Sequence, residues 1–428
     1  MRLRQLAVAA GLVGVLCVPA HAEARDIGRD TLPANDGWAS EGAGTTGGAA
    51  ADDAHVFTVT DRAQLVRALD GGSDTPKIIR IAGTIDANTD DDGDRLDCSD
   101  YATGGYGLKK YLAAYDPRTW GAAKPSGPQE EARQASAARQ AERVVLPVGS
   151  HTTIVGLGDS AVLKGASLQV RNADNVIIRN LDIRDAYDCF PVWQPNTGGL
   201  GDWKTAYDGI WLAGATHVWV DHVTLSDKGH PDAKEPVYFA RNYLRHDGLL
   251  DITNGSDLVT VSWSRFADHD KAMLIGNGDT ATGDRGKLRV TLHHNAFESV
   301  VQRAPRVRFG QVHVYNNRYE ITDDDYRYSL GVSTESRIYA ENNAFHAPGH
   351  VEVADLVKSW NGSALHQSGT LFNGFPVDLL TIYNAYNSGS ERDLTGDVGW
   401  TPALHGPIDS AAEADRAVAR GAGAGRIP

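Results

Sequence analysis

Cysteine is scarce in this chain, with three residues in 428, so the fold is not built on a disulfide framework. Cys17 lies in an N-terminal segment that we expect to be removed, which leaves Cys98 and Cys189. In an exported chain these two are expected to form a disulfide, and two separate buried thiols are the alternative. The chain is long enough to form a large hydrophobic core without further cross-links.

An excess of basic residues is also missing. The chain has 41 Lys and Arg against 55 Asp and Glu, which gives a formal net charge of −14. We therefore expect no nucleic-acid partner, because such binding needs a broad positive face. The same negative field opposes a polyanionic ligand, so a site for one requires a local concentration of cations.

No apolar run is long enough to span a bilayer, and we expect no membrane association. The run from Leu6 to Val18 follows a basic start and precedes Ala20-His21-Ala22. This pattern predicts a secretory signal peptide, residues 1–22, rather than a membrane anchor. Residues 23–428 are then expected to form a single domain that is secreted to the extracellular space.

Long amphipathic helices are few, whereas glycine is abundant, with 46 residues. Runs rich in Val, Ile and Thr between Asn, Asp and Gly indicate β structure. Near the N-terminus the sequence predicts a strand at Val56 to Val59, a helix at Arg62 to Leu69 capped by Asp61, and a strand at Lys77 to Ile85. Residues 86–147 interrupt this pattern and are interpreted as an insertion with a helix at Gln129 to Arg143.

From residue 150 the sequence is repetitive. The repeated segments are residues 152–158, 175–183, 217–225, 258–266, 288–297, 311–319 and 337–345. Asn295, Asn317 and Asn343 end three of them with spacings of 22 and 26 residues, which indicates a stacked repeat. A parallel β-helix fits best, with a core of about residues 150–345 and hydrogen bonds between stacked Asn side chains. A sandwich with Asn-rich hairpins is the alternative. Residues 347–428 lose the repeat and are expected to pack over the coils.

Acidic and basic side chains are concentrated between Asp247 and Arg308. Asp247 and Asp251 lie four residues apart, and Asp208 lies about one repeat earlier. Coils stacked at about 5 Å bring such residues together. Three carboxylates favour calcium over zinc, although a single Asp in a turn is more often a cap. A metal site and an anion site normally repel each other's ligands. A polyanionic substrate that is bridged to the acids by a metal explains why acids and cations lie side by side here.

Three segments resemble motifs of the pectate lyase superfamily, polysaccharide lyase family 1. They are WVDHVTLSD (219–227), DGLLDITNGSDLVTVSWSRFADHDKAMLIG (247–276) and VQRAPRVRFGQVHVYNNRY (301–319), in the family's order. The resemblance implies a right-handed parallel β-helix with peripheral loops and short helices. It also implies cleavage of α-1,4-polygalacturonate by calcium-dependent β-elimination, which gives 4,5-unsaturated oligogalacturonides. The expected partner is this pectic polysaccharide, and the chain is expected to act as a monomer.

The resemblance further implies a role for each residue of the motifs. The calcium ligands fall on Asp208, Asp247 and Asp251, a substrate carboxylate contact on Lys271, the catalytic base on Arg303, and a substrate-binding position on Arg308. Because a guanidinium normally stays protonated, an arginine base predicts an alkaline activity optimum. Arg306 is interpreted as a strand residue paired with acids of a neighbouring coil, and His269 as a packing residue.

Three other functions remain open at this point. A pectin lyase acts on methyl-esterified pectin without calcium, but that class is implied to lose part of the acidic cluster, which is complete here. A hydrolase such as a polygalacturonase needs paired acids that flank the bond, and its motifs are missing. The third alternative is a polygalacturonan-binding β-helix without activity.

Overall fold

The computed structural model describes residues 25–387 and 393–427, so the predicted signal peptide lies outside the described residues. Most of the described chain winds into coils, and each complete coil adds one strand to each of three sheets. The strand pairings in these sheets are parallel except for that of Leu371–Phe372 with Phe375–Pro376. The predicted fold class, an all-β right-handed parallel β-helix with peripheral loops and short helices, is confirmed. The parallel pairing of successive coils excludes the sandwich.

Within the described residues, sheets 1 and 2 contain ten strands each and sheet 3 contains eight. Sheet 1 consists of Val56–Val59, Lys77–Ile81, Thr152–Gly156, Asp174–Arg179, Thr216–Asp221, Asp257–Ser262, Val290–His293, Gln311–Tyr315, Arg337–Glu341 and Leu365–Ser368. Sheet 2 consists of Thr84–Asp86, Val162–Lys164, Asp182–Arg184, Thr224–Ser226, Arg265–Lys271, Ala296–Gln302, Arg318–Glu320, Ala344–His346, Leu371–Phe372 and Phe375–Pro376. Sheet 3 consists of Val145–Val148, Ser167–Arg171, Ile210–Ala213, Leu250–Thr253, Leu274–Ile275, Arg306–Val307, Leu330–Val332 and Val357–Ser359.

Helices and hairpins lie around the coils. The α-helices are Arg62–Leu69 (α1), Cys98–Tyr101 (α2), Leu108–Ala114 (α3), Pro117–Trp120 (α4), Pro128–Val144 (α5), Leu379–Tyr386 (α6) and Ala411–Gly421 (α7). Short 3-10 helices are Ile27–Arg29, Trp38–Ser40, Asp53–His55, Asp70–Gly72, Thr197–Gly199, Asp232–Lys234, Thr282–Asp284 and Val353–Leu356. Two antiparallel hairpins pair Val192–Gln194 with Asp202–Lys204 and Val237–Tyr238 with Arg241–Asn242. None of the helices in the described part of the chain is long and apolar enough to cross a membrane.

Repetition along the sequence produces ladders inside the coils. Asn295 Nδ2 donates to Asn317 Oδ1 at 3.0 Å, and Asn317 Nδ2 donates to Asn343 Oδ1 at 3.1 Å. The predicted asparagine stack is therefore present, and each amide also satisfies backbone groups of the turn. The aromatic residue two positions after each of these asparagines stacks as well, with Phe297 and Tyr319 ring centroids 4.9 Å apart. These ladders fix the register of successive coils.

The coils extend beyond the predicted core at both ends. Val56–Val59 and Lys77–Ile81 already belong to sheet 1, and Asp61 caps α1 as predicted by accepting from the Gln64 backbone N. The prediction that the repeat ends before residue 347 was wrong, because Val357–Ser359 and later strands add further pairings to all three sheets. The segments after them lie over the coils, where α7 contacts two strands of sheet 2.

The three longest excursions between strands of the coils leave at one place, which we call the sheet 2–sheet 3 corner. They comprise residues 87–144, 185–209 and 227–249, each between a strand of sheet 2 and the next strand of sheet 3. The first corresponds to the predicted insertion, and its predicted helix is α5. A disulfide between Cys98 and Cys189, with Cα atoms 5.3 Å apart, joins the first excursion to the second. The expected pairing of the two cysteines is therefore confirmed.

Candidate active site

The three predicted metal-binding acids lie on two neighbouring coils at this corner. Asp208 precedes the sheet 3 strand Ile210–Ala213, and Asp247 precedes the adjacent strand Leu250–Thr253, which contains Asp251. The parallel register brings Gly248 beside Asp208, and its backbone N donates to Asp208 Oδ1 at 2.7 Å. From the following coil, the backbone N of Leu274 donates to Asp251 Oδ1 at 2.9 Å. The structure thus brings all three acids together.

Gly248 separates two of these carboxylates. A Cβ on Gly248 would lie 2.5 Å from Asp251 Oδ1 and 2.9 Å from Asp208 Oδ1, so both oxygens approach one point. Gly248 does not have a positive φ, so its backbone conformation does not require glycine. We infer that glycine is needed here for space, because any side chain would enter the gap between the two acids.

The acids destabilise each other's charge. Burial, followed by the charges of Asp251 and Asp247, raises the pKa of Asp208 well above its ordinary value. Burial and the charge of Asp247 raise the pKa of Asp251 to about 7. Backbone donors and Lys271 oppose these shifts without cancelling them. A cluster of carboxylates with too little neutralising charge is an environment that a cation would stabilise.

The donor set suits calcium better than a transition metal. It consists of carboxylate oxygens, whereas zinc sites favour nitrogen and sulfur. Among residues 25–387 and 393–427, no three His, Cys, Asp or Glu side chains form a ready-made metal site. Because calcium takes six to eight oxygens, these acids would hold it together with oxygens from substrate and water. The residues fit a calcium ion, which the three carboxylates would hold.

Two cations face this acidic cluster from the neighbouring turns. Lys271 ends the strand Arg265–Lys271 and is paired across sheet 2 with Gln302, the residue before Arg303. Its Nζ lies 3.7 Å from Asp247 Oδ1. Arg303 adopts a φ of 62°, which is uncommon for a residue with a side chain, and its carbonyl accepts from the Met273 backbone N at 2.8 Å. Arg303 Nε is buried and has no hydrogen-bond partner in the described part of the protein.

The other two arginines of the RAPRVR run have different surroundings. Arg308 Nε donates to Asp279 Oδ1 at 2.5 Å and its Nη1 to the Gly276 carbonyl at 3.0 Å, so an acid and a carbonyl already orient this guanidinium. Arg306 stacks on Trp360, with its guanidinium carbon 4.1 Å from the ring centroid, and donates to Ser333 Oγ. The prediction that Arg306 pairs with acids of a neighbouring coil was wrong.

Two buried histidines, His246 and His269, lie beside Asp247, and of these only His269 was interpreted from sequence as a packing residue. His269 Nε2 lies 2.8 Å from the Asp247 carbonyl oxygen, and its Nδ1 lies 2.6 Å from Asp227 Oδ2. Although burial disfavours the charge on His246, the acids around it, Asp227 first, raise its pKa to about 10. Burial lowers the pKa of His269, but Asp227 raises it above its ordinary value, and this imidazole holds the Asp247 carbonyl in place. His246 directly precedes Asp247 in the sequence, and this position was the one signal that could have indicated its supporting role.

Comparison with known proteins decides the family. The sequence model described as "Pectate lyase" matches residues 7–99 and 122–391. The chain belongs to the pectate lyase family. It is 46% identical over 414 residues to "Pectate lyase" from Bacillus subtilis (strain 168), covering 96% of each chain. It is also 36% identical over 360 residues to "Pectate lyase E" from Dickeya chrysanthemi, covering 82% of this chain and 78% of the relative.

A solved structure described as "Pectate lyase bound to hexasaccharide" has the same architecture. It superposes with a TM-score of 0.89 at 46% identity and covers 94% of this chain and 100% of its own. Membership of the pectate lyase family confirms the resemblance inferred from the motifs and the enzyme class inferred with it, a polysaccharide lyase.

Proposed function

We propose that this pectate lyase is a secreted, calcium-dependent enzyme that cleaves α-1,4-polygalacturonate by β-elimination. The observation that carries the proposal is the convergence of Asp208 and Asp251 oxygens at one point, at the same corner of the coils as Arg303. Such a pairing of an acidic cluster with cations suits an acidic polysaccharide attached through a metal. The relative bound to a hexasaccharide supports a saccharide ligand of several units.

The acids would hold the metal. Asp208, Asp247 and Asp251 would bind calcium, which, when bound, would offset the charge of a galacturonate carboxylate and so make the neighbouring C5 proton more acidic. Lys271, whose side chain is buried beside Asp247, supports the same task with a fixed positive charge. Arg308 is held in place by Asp279, which leaves part of its guanidinium to orient the substrate.

Arg303 would remove the C5 proton. The electron pair of the C5–H bond then forms the C4–C5 double bond, and the C4–O bond to the next sugar breaks, with water protonating the leaving oxygen. Cations are crowded around this residue, since burial and the charges of Arg308 and Arg303 lower the pKa of Arg306. A guanidinium must lose its proton to act as a base, so activity is expected to be highest at alkaline pH.

Secretion and the monomeric state belong to the same proposal. The basic start, short apolar run and Ala20-His21-Ala22 support export and cleavage after residue 22. An extracellular location also suits a substrate too large to enter a cell. Sedimentation of the purified protein, together with N-terminal sequencing of the exported form, tests both points.

One assay tests the reaction. The protein is incubated with polygalacturonate, with and without a chelator, while the ultraviolet absorbance of the unsaturated product and the number of reducing ends are followed. The proposal expects absorbance that disappears with chelator and returns with calcium. Absorbance that survives the chelator would indicate a pectin lyase, reducing ends without absorbance a hydrolase, and neither signal a binding protein.

A further inference from the structure

A hairpin from the second excursion ends four residues before Asp208. Val192 pairs with Lys204 and Trp193 with Trp203, so alternate residues of the strand Asp202–Lys204 point to opposite faces. Trp203 is buried on one face, and Asp202 and Lys204 share the other. Asp202 and Asp270, the residue before Lys271, both line a cavity of about 440 Å³, whereas Lys204 lies outside its lining. Lys204 lies on this face, four residues before Asp208.

The insertion holds this hairpin in place. Trp203 packs in an aromatic cluster in which its ring centroid lies 5.3 Å from that of Trp193, 6.2 Å from Tyr111 of α3 and 4.8 Å from Tyr243. Its Nε1 donates to the Tyr238 carbonyl at 3.3 Å. The first excursion therefore has a structural role that the sequence left open: together with the other two excursions it builds a second core, on which this hairpin packs.

The ammonium of Lys204 has unusual surroundings. It makes no hydrogen bond or ion pair with any residue in the described part of the chain. Burial and then the charge of Lys271 lower the pKa of Lys204, with Arg303 acting in the same direction and Asp247 and Asp202 opposing it. A half-buried cation near two other cations, without a carboxylate in contact, is stabilised when an anion binds between them.

We propose that Lys204 binds a carboxylate of a galacturonate unit in the groove and so favours de-esterified polymer. The inference rests on the proposed function for the identity of the sugar, and it assigns Lys204 to binding rather than to proton transfer. The ammonium supplies a charge-assisted hydrogen bond that a methyl ester cannot receive with the same strength. Lys204 would act with Lys271 on the side of the cluster where Asp247 lies.

Binding is measured first, without turnover. Hexagalacturonate is titrated, in the presence of calcium, into the Arg303→Ala protein and into the same protein carrying Lys204→Met. We expect about tenfold weaker binding for the double variant, since a hydrogen bond to a charged group has this order of effect. Lys204→Arg, which retains the charge, should restore most of the affinity. Lys287→Met is the matched control, because Lys287 is an exposed lysine in the turn before a sheet 1 strand.

Kinetics with Arg303 restored distinguish binding from chemistry. Lys204→Met should raise KM for polygalacturonate about tenfold and leave kcat nearly unchanged, and the effect should shrink on methyl-esterified substrate. Unchanged affinity and KM would overturn the proposal, and so would a loss of kcat at constant KM. Lys204→Gln replaces the methionine variant if the latter does not fold. If the native protein forms no unsaturated product while Lys204→Met still weakens binding, the proposed reaction fails and the binding role stands.

Discussion

Replacing Gly248 by alanine tests the calcium cluster without removing a ligand. The new Cβ would lie 2.5 Å from Asp251 Oδ1, and such contacts do not occur below 3.0 Å, so this oxygen must retreat by about half an ångström. Calcium–oxygen distances in proteins span only about 0.3 Å, so a movement of this size takes the carboxylate out of the coordination range. Asp208 Oδ1 would lie 2.9 Å from the same Cβ and must move slightly as well.

We expect Gly248→Ala to weaken calcium binding about 10- to 100-fold, or about 1.4–2.8 kcal/mol, the usual effect of disturbing groups that orient metal ligands. Because Gly248 does not have a positive φ, alanine does not strain the backbone, and the fold should persist. Saturating calcium should restore much of the activity, since the acids themselves remain. Lost affinity should therefore appear as a higher calcium concentration for half-maximal rate.

Calcium titration by calorimetry and by initial rate measures this effect. Gly349→Ala is the matched control, because a Cβ there meets no atom within 4 Å and its φ is also unexceptional. Equal calcium affinity of Gly248→Ala and the native protein would refute the assignment of these acids to the metal. If the variant folds but no calcium concentration restores its activity, the defect lies in another part of the site and not in calcium affinity.

Three further predictions concern the base, the acids and the ladder. Arg303→Lys should lower kcat by about 1,000-fold, as expected for loss of a general base, with calcium binding by calorimetry unchanged. Without calcium, the raised pKa values of Asp208 and Asp251 mean that the folded state holds protons the unfolded chain has released. Stability should therefore fall as pH rises from about 4 to about 7, by on the order of 2 kcal/mol after solvent screening, and Tm curves with calcium should lack this loss. Asn317→Ala should reduce the free energy of unfolding by about 2–4 kcal/mol in denaturant titrations, because it leaves the buried Asn295 N and the Leu292 carbonyl unpaired. The exposed Asn277→Ala should change it by less than about 0.5 kcal/mol.

Local sequence patterns predicted the parts of the fold that repeat. Asn295, Asn317 and Asn343 were informative because Asn295 hydrogen-bonds to Asn317 and Asn317 to Asn343 on successive coils. Such a stack requires the same residue once in every coil. The short strands of sheet 3 carry no such signal: Leu274–Ile275 and Arg306–Val307 have two residues each, too few to show alternation. Their pairing follows from their neighbours in the stack rather than from their own composition.

The candidate site was predicted where its residues belong to contiguous motifs. Asp247, Asp251 and Lys271 lie in one such segment, and the structure brings them together as the repeat required. Lys204 could not be found in this way, because its position depends on an aromatic cluster drawn from three distant excursions. The surroundings of Arg306 were misjudged for a similar reason: Trp360 comes from a coil that the repeat pattern did not reveal.

Because the three longest excursions lie at one corner, changes in their sequence and length are separated from changes in the coils during evolution. Loops at this corner can lengthen, shorten or change sequence while the stacked side chains inside the coils stay the same. New preferences for chain length or esterification can thus arise from peripheral segments alone. For protein engineers, the hairpins within residues 185–209 and 227–249 are therefore segments to exchange between homologues, provided that Asp208, Asp247 and Gly248 are retained.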